Sequence, residues 1–229
     1  GVNLVMNARG VEALEAAAAE IREKYGVTVE TVACDVTTEE GRAQLLEVAG
    51  QVDILVNNPG APPPGSWKDW DREDFIAALD ANMLAPIALI KALVPGMEER
   101  GWGRVVNITS VSVKAPIAAL GLSNSARAGL TGYVAGTSRQ VAPSGVIMNN
   151  LLPGIHATDR MIALDGNTAK TEGITVEEAR SRRLASIPTG AYGDARDFGA
   201  TCAFMCSQYA KFMVGQNVLL DGGATNTTM

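Results

Sequence analysis

The chain has 229 residues, 47% of them hydrophobic, 5% aromatic and 19% charged, with a formal net charge of −6. That length suits a single α/β domain over residues 1–229 with a sizeable core, and the acidic balance argues against nucleic acid or an anionic membrane as partner. Its apolar runs read as short and interrupted, below the roughly 18 residues of a membrane span, and no signal-peptide pattern is expected.

Val2–Met6 reads as a buried strand. Val11, Leu14, Ala18, Ile21 and Tyr25 then recur at the three- and four-residue spacing of an amphipathic helix. Val27–Ala33 is a second strand, and Thr37 with Glu40 forms a capping box for the next helix. Asp53–Val56 is a third strand, followed by a loop containing Pro62-Pro63-Pro64-Gly65 and the Trp67/Trp70 pair, expected as helix-flanking core. Asp71 and Asp74 cap a long helix, Arg72–Glu99, which Pro86 kinks. Arg104–Ile108 is a strand, Ser123–Ala142 a helix and Val146–Leu151 a strand. Residues 155–174 look irregular, Thr175 with Glu178 and then Asp194 cap two further helices, and Asn217–Leu220 is the last strand.

Strands and helices alternate, and the strands are continuous apolar runs. This predicts a Rossmann-type, doubly wound parallel sheet covered by helices on both faces, a three-layer α/β/α domain. Ligands of such sheets bind beyond the carboxyl ends of the strands. The residues after each strand are therefore the candidates for chemistry.

Arg9 follows the first strand next to the uncharged Ala8. It either pairs with a nucleotide 2′-phosphate or is a solvated loop arginine. Asp35, in Cys34-Asp35-Val36, either accepts from an adenine amino group or caps the following helix. Asn57-Asn58-Pro59-Gly60 has ordinary turn composition. Asn82 sits inside a helix that it suits poorly, which fits a helical irregularity as well as a catalytic role. Ser110 ends the stretch Asn107-Ile108-Thr109-Ser110. The single histidine, His156, lies in Pro153-Gly154-Ile155-His156-Ala157-Thr158 with no evident acid partner and reads as a packing residue. Cys34, Cys202 and Cys206 show no metal-like cluster, so no metal is expected; Cys202 and Cys206 read as two small buried helix residues, and a reducing cytoplasm is the expected setting.

Together these residues resemble the classical short-chain dehydrogenase/reductase family, in particular its 3-oxoacyl-(acyl carrier protein) reductase branch, over essentially the whole chain. Asp35-Val36 resembles the adenine-binding motif, and Asn57-Asn58-Pro59-Gly60 resembles the Asn-Asn-Ala-Gly motif with one change. Asn82 and Ser110 match the catalytic asparagine and serine. Pro153-Gly154 and Thr158 resemble the loop that holds the nicotinamide carboxamide, with His156 at a usually aliphatic position. Ile187-Pro188, Gly215-Gln216 and Asp221-Gly222-Gly223 match the C-terminal pattern. The resemblance implies cofactor contacts from Arg9, Asp35, Val36, Asn58, Pro59, Gly60, Ile108, Arg127, Pro153, Gly154, His156 and Thr158. It also implies NADP(H) in preference to NAD(H), a small carbonyl or acyl substrate, a substrate lid over residues 155–190, and a homotetramer or homodimer through helices 72–99 and 123–142.

Two departures stand out. The glycine-rich Gly-x-x-x-Gly-x-Gly turn is absent, with the central strand and helix around it, so about 25–35 further N-terminal residues are expected to complete the sheet. The family's Tyr-x-x-x-Lys falls on Ser123 and Arg127, 13 and 17 residues after Ser110. Tyr133 lies on another helical face, and Lys114 is either a surrogate acid or a solvated loop lysine. The catalytic set is therefore Asn82, Ser110, Ser123, Arg127 and Lys114, in an NADP(H)-dependent oxidoreductase with an altered proton path. The alternatives are a nucleotide-binding pseudoenzyme with a sensing or assembly role, or a lyase or isomerase reusing the pocket.

Overall fold

The computed structural model describes residues 1–227, without the side chains of Asp159 and Arg160. Its elements run in order β1 (Leu4–Ala8), α1 (Val11–Tyr25), β2 (Val29–Ala33), α2 (Glu39–Ala49), β3 (Ile54–Asn57), α3 (Arg72–Leu79), a π-helical turn (Asp80–Leu84) and α4 (Ala85–Glu99). They continue with β4 (Gly103–Ile108), α5 (Gly121–Val141), β5 (Val146–Pro153), α6 (Asp159–Glu172), α7 (Val176–Leu184), α8 (Ala195–Met205) and β6 (Asn217–Leu220). Every strand pairing is parallel.

The pairings form two separate ladders. β1 pairs with β2, and β3, β4, β5 and β6 follow one another in a four-stranded sheet; no strand hydrogen bond joins the two among the described residues. β4 is buried along its whole length, whereas Val5 on β1 and Val56 on β3 remain 37% and 44% exposed. Strand register explains the layers. On one face of the four-stranded sheet, Val105, Val146 and Met148 pack against Ile90, Val94 and Met97 of α4 and Leu130, Val134 and Val141 of α5. On the other, Val106, Ile108 and Leu151 pack against Met205 and Phe198 of α8. Adjacent residues point to opposite faces, so a helix layer on each side buries a continuous apolar strand.

Several expectations need correction. Residues 155–174 are not irregular, because α6 occupies most of them. Its inward position Asp165 is a buried carboxylate paired with Arg183, which interrupts the apolar period that marks a helix in sequence. The α2 cap is Thr38, not Thr37; its hydroxyl accepts from Gly41 N at 3.0 Å, and no box with Glu40 forms. The Asp71/Asp74 capping box does form, as do the Thr175 and Asp194 caps. Trp67 is 77% exposed rather than core, whereas Trp70 meets Phe75 edge-on. Finally, Arg72–Glu99 is a continuous helical run of 28 residues that holds an 18-residue window of mean hydropathy 1.6, long and apolar enough to cross a membrane by length and composition, which overturns the expectation of short apolar runs. About one third of its apolar window is buried, the part of α4 that covers the sheet.

Candidate active site

All strands are parallel, so β3, β4 and β5 deliver their carboxyl ends to one edge. Asn57 and Asn107 are register partners there, and the Asn57 amide donates to Asn107 Oδ1 at 2.9 Å in a buried setting. Pro86 explains the next feature. It has no N–H for the carbonyl four residues back, on Asn82, so the helix does not run regularly through this stretch. The ladder widens into the π turn, where the Ala85 amide donates to the Asp80 carbonyl. Asn82 is buried in that turn; its Nδ2 donates to Ala78 O at 3.3 Å, and its Oδ1 has no hydrogen-bond partner among the described residues. The expected kink is thus a widened turn just before Pro86, which itself sits in the first turn of α4.

Ser110 caps a short 3-10 turn, Val111–Val113, and its hydroxyl oxygen accepts from Ser112 N at 3.1 Å. That contact occupies a lone pair and leaves the hydroxyl proton to donate elsewhere. α5 packs against this turn and against the π turn carrying Asn82. Ser123 and Arg127 lie one turn apart on α5, each 5% exposed. The Arg127 guanidinium donates through Nε to Ser123 Oγ at 3.2 Å, through Nη1 to Ile108 O at 2.7 Å and through Nη2 to Pro59 O at 3.3 Å. It therefore ties α5 to the ends of both β4 and the β3 loop. Lys114 closes the 3-10 turn half-buried, with no ion pair or side-chain hydrogen bond among the described residues. Tyr133 instead packs against the core beneath α4 and α5.

The other candidates line the same edge. Arg9 is exposed at the end of β1, next to Asp35 at the end of β2. The amide and hydroxyl of Thr37, and more weakly the charge of Arg9, hold the Asp35 carboxyl below the usual carboxylate range. Asp35 thus binds the turn before α2 and does not cap the helix itself, whose cap is Thr38, so its helix-capping reading is corrected. Val36 is half-buried beside it, and Asn58 and Gly60 are exposed beyond β3, where a Cβ on Gly60 would meet open space. Pro153 ends β5, and Gly154 N donates to Leu220 O at 2.7 Å. A side chain at Gly154 would collide with Asp221, whose Cβ would lie 2.5 Å away. His156 packs edge-on to Phe198, with centroids 5.0 Å apart, and its Nδ1 lies 3.3 Å from Gly154 O. Thr158 is the exposed N-cap of α6, although its side chain makes no capping bond.

Sequence reasoning missed one network. Asp165 on α6, 2% exposed, pairs with Arg183 Nε at 2.8 Å and accepts from Tyr192 OH at 2.9 Å, joining α6, α7 and the loop before α8. Burial first, then the neighbouring carboxylate, pushes the Tyr192 hydroxyl pKa upward.

A parallel α/β sheet with a serine, a buried asparagine and a cationic α5 residue at its carboxyl edge defines a Rossmann-type oxidoreductase domain. Residues 1–225 match the family model described as enoyl-(acyl carrier protein) reductase, and the chain belongs to the classical short-chain dehydrogenase/reductase family. It is 29% identical over 227 residues to the NADPH-dependent reductase BacG of Bacillus subtilis, covering 97% of this chain and 88% of that protein. Identity to the 3-oxoacyl-(acyl carrier protein) reductase FabG of Vibrio cholerae is also 29%, over 218 residues, 93% of this chain and 85% of that one. The solved L-sorbose reductase of Gluconobacter frateurii, complexed with NADPH and L-sorbose, superposes with a TM-score of 0.94 at 28% identity, covering 99% of this chain and 88% of that chain.

The residues present fit the two ends of a dinucleotide. Asn107 Nδ2, Thr109 Oγ1 and Asn82 Oδ1 are buried polar atoms near the carboxyl edge with no hydrogen-bond partner among the described residues, a setting that suits a polar ligand. No glycine-rich turn for the pyrophosphate occurs in the sequence.

Proposed function

We propose that the protein is an NADP(H)-dependent oxidoreductase interconverting a small carbonyl compound, of 3-oxoacyl type, and its alcohol through an altered proton path. One observation carries this reading: Ser123 and Arg127 of α5 meet the end of β4 and the 3-10 turn capped by Ser110, with Asn82 on the π turn that also packs against α5. The reductase activities of the similar proteins support the same class.

When bound, the cofactor supplies the hydride. The chain does the rest. Ser110, its oxygen already engaged by Ser112 N, offers its hydroxyl as a hydrogen-bond donor that holds the substrate oxygen without giving up the proton. Arg127 supplies a fixed positive charge and holds ribose hydroxyls, but it stays protonated and relays nothing. Ser123 stands where the family resemblance places a tyrosine; lacking a ring, it reaches roughly 4–5 Å less far, beyond a direct hydrogen bond. Lys114, on the turn after Ser110, is the surrogate donor within the same segment. Arg9, unopposed by an acid at Ala8, favours the 2′-phosphate of NADP(H). The decisive experiment is cofactor oxidation against a panel of carbonyl substrates. Slow turnover with saturable NADPH binding is expected, and failure to bind NADPH would sink the proposal.

A second reading, a nucleotide-binding pseudoenzyme, is favoured by Arg127 being engaged as a clamp between strand ends. Binding without turnover on every substrate would select it. We also propose that the protein is cytoplasmic, that residues 155–190 form the substrate lid, and that a strand N-terminal to Gly1 pairs with both β1 and β3. The open ladder edges and the exposure of Val5 and Val56 support that strand. Intact mass of the native product checks it, with about 25–35 additional residues expected for a strand, a turn and a crossover helix.

A further inference from the structure

At the edge of the sheet opposite the candidate active site, an open cleft of about 630 Å³ lies among Trp102, Arg104, Gly145, Gln208, Tyr209 and Lys211. Gly103 begins β4 and Val146 begins β5, so the cleft sits at the amino ends of the two central strands. Arg104 is the unusual residue in it. Its side chain is almost wholly buried, at 2% exposure, yet it makes no ion pair with a carboxylate among the described residues. Nε donates to Ser207 O at 2.9 Å, and Nη1 to Gly103 O at 2.7 Å and Gly145 O at 3.3 Å. No hydrogen-bond partner of Nη2 is found among the described residues.

Neutral carbonyls orient a guanidinium without neutralising it. A buried cation without a counter-charge is costly, and burial accordingly pulls the Arg104 pKa below its ordinary value. The remaining geometry favours an anion. The Trp102 ring stacks on the guanidinium at 4.6 Å and holds its plane. Lys211 adds a second, exposed cation, Tyr209 and Gln208 add neutral polar groups, and no acid lines the cleft. In a chain of net charge −6 this is a local concentration of positive charge.

We propose that this cleft is a second ligand site, binding a small oxyanion, the phosphate or carboxylate group of a soluble metabolite, through Arg104 Nη2 and Lys211. The occupant neutralises the buried arginine and is recognised by charge-assisted hydrogen bonds. The site lies apart from the hydride-transfer edge and does not depend on the reading of that edge.

Titration of the whole protein with inorganic phosphate, and separately with citrate, at ionic strength held constant with chloride, tests it through tryptophan fluorescence. A saturable change is expected with at least one oxyanion, absent in Trp102→Phe. The exposed Lys211→Glu substitution should weaken binding about tenfold or more, the effect of replacing an attractive contact by a repulsive one. Response to phosphate alone assigns a phosphate ligand, and response to citrate alone a carboxylate. No saturable change with either, or unaltered affinity in Lys211→Glu, overturns the proposal. Arg104 itself is too deeply packed to serve as the only variant.

Discussion

Arg127 donates to the hydroxyl of Ser123 one helical turn before it on α5, while its other two nitrogens hold the carbonyls of Ile108 and Pro59. The contact makes Ser123 an acceptor, and the same guanidinium braces the two strand ends on which Ser110 and the Asn58 loop depend. Arg127→Ala would leave two carbonyls without their donor, at a cost of about 2–4 kcal/mol. At roughly 2–4 °C per kcal/mol for a chain of this size, thermal denaturation should show a fall of about 5–15 °C. An unchanged midpoint would show that the clamp adds nothing to stability.

At the β1 edge, Arg9 is the exposed charge beside Asp35. The parent should prefer NADPH over NADH by about tenfold or more, equivalent to roughly 1.4 kcal/mol, and Arg9→Ala should remove most of that preference. Titration of both cofactors into both proteins measures it. Equal affinities in the parent would refute the assignment.

The layers were legible because β4 and β5 are mostly apolar, with Val105-Val106, Val146-Ile147-Met148 and Leu151-Leu152 as their apolar stretches, and helices of clear period separate them. The strand ends were legible for the same reason: once β4 is placed, Ser110 follows from it. The Thr175 and Asp194 caps are local and announce themselves through short side chains before a helix. What escaped depends on distant partners. Asp165 reads as a surface residue until Arg183, 18 residues away, is brought to it, so α6 lost its apolar stripe in the sequence. The π turn at Asn82 arises from a backbone deficit at Pro86, which sequence marks as a kink without saying how the ladder adjusts. The buried setting of Arg104 rests on carbonyls contributed by Gly145 and Ser207, neither of which has any side-chain signature.

Asp194 offers a test by pH. As N-cap of α8 it accepts from the Arg196 guanidinium and backbone amide, which lower its pKa from the ordinary 3.8 to about 2. The folded value lies below the unfolded one, so its stabilising contribution is present above about pH 4 and is lost as pH falls through about 2. Carboxyl NMR should place the Asp194 midpoint near 2, and Arg196→Ala should move it upward. A midpoint at the ordinary value in the parent would contradict the cap geometry.

The Arg72–Glu99 run exposes more apolar surface than one covered face requires. Ile90, Val94 and Met97 are buried against the sheet, yet Phe75, Ile76 and Leu84 are 36%, 37% and 46% exposed. Such a surface on a chain of this class suits association with a second copy, α3–α4 and α5 pairing across a twofold axis. Light scattering at micromolar concentration should report a dimer or tetramer. Leu84→Glu should shift it toward monomer with little change in the thermal midpoint. A clean monomer in the parent would overturn the idea.

Catalysis gives the sharpest test. With Ser123 and Arg127 where the family resemblance places tyrosine and lysine, the altered proton path proposed above lacks the tyrosine as general acid, a loss typically worth ~10²–10⁴ in rate, or about 3–5 kcal/mol of barrier. Positioning of substrate and cofactor is a separate contribution and need not be lost with it. The parent should therefore bind NADPH yet turn over simple 3-ketoacyl substrates slowly or not at all. The double variant Ser123→Tyr/Arg127→Lys should gain activity by a large part of that factor, because a phenol hydroxyl near a lysine ammonium has its pKa lowered from about 10. Lys114→Ala distinguishes the surrogate route, since it abolishes residual turnover only if the Lys114 ammonium delivers the proton. Steady-state rates of the parent and these variants decide the matter. Ordinary reductase rates in the parent, unaltered by Lys114→Ala, would mean that another group supplies the proton.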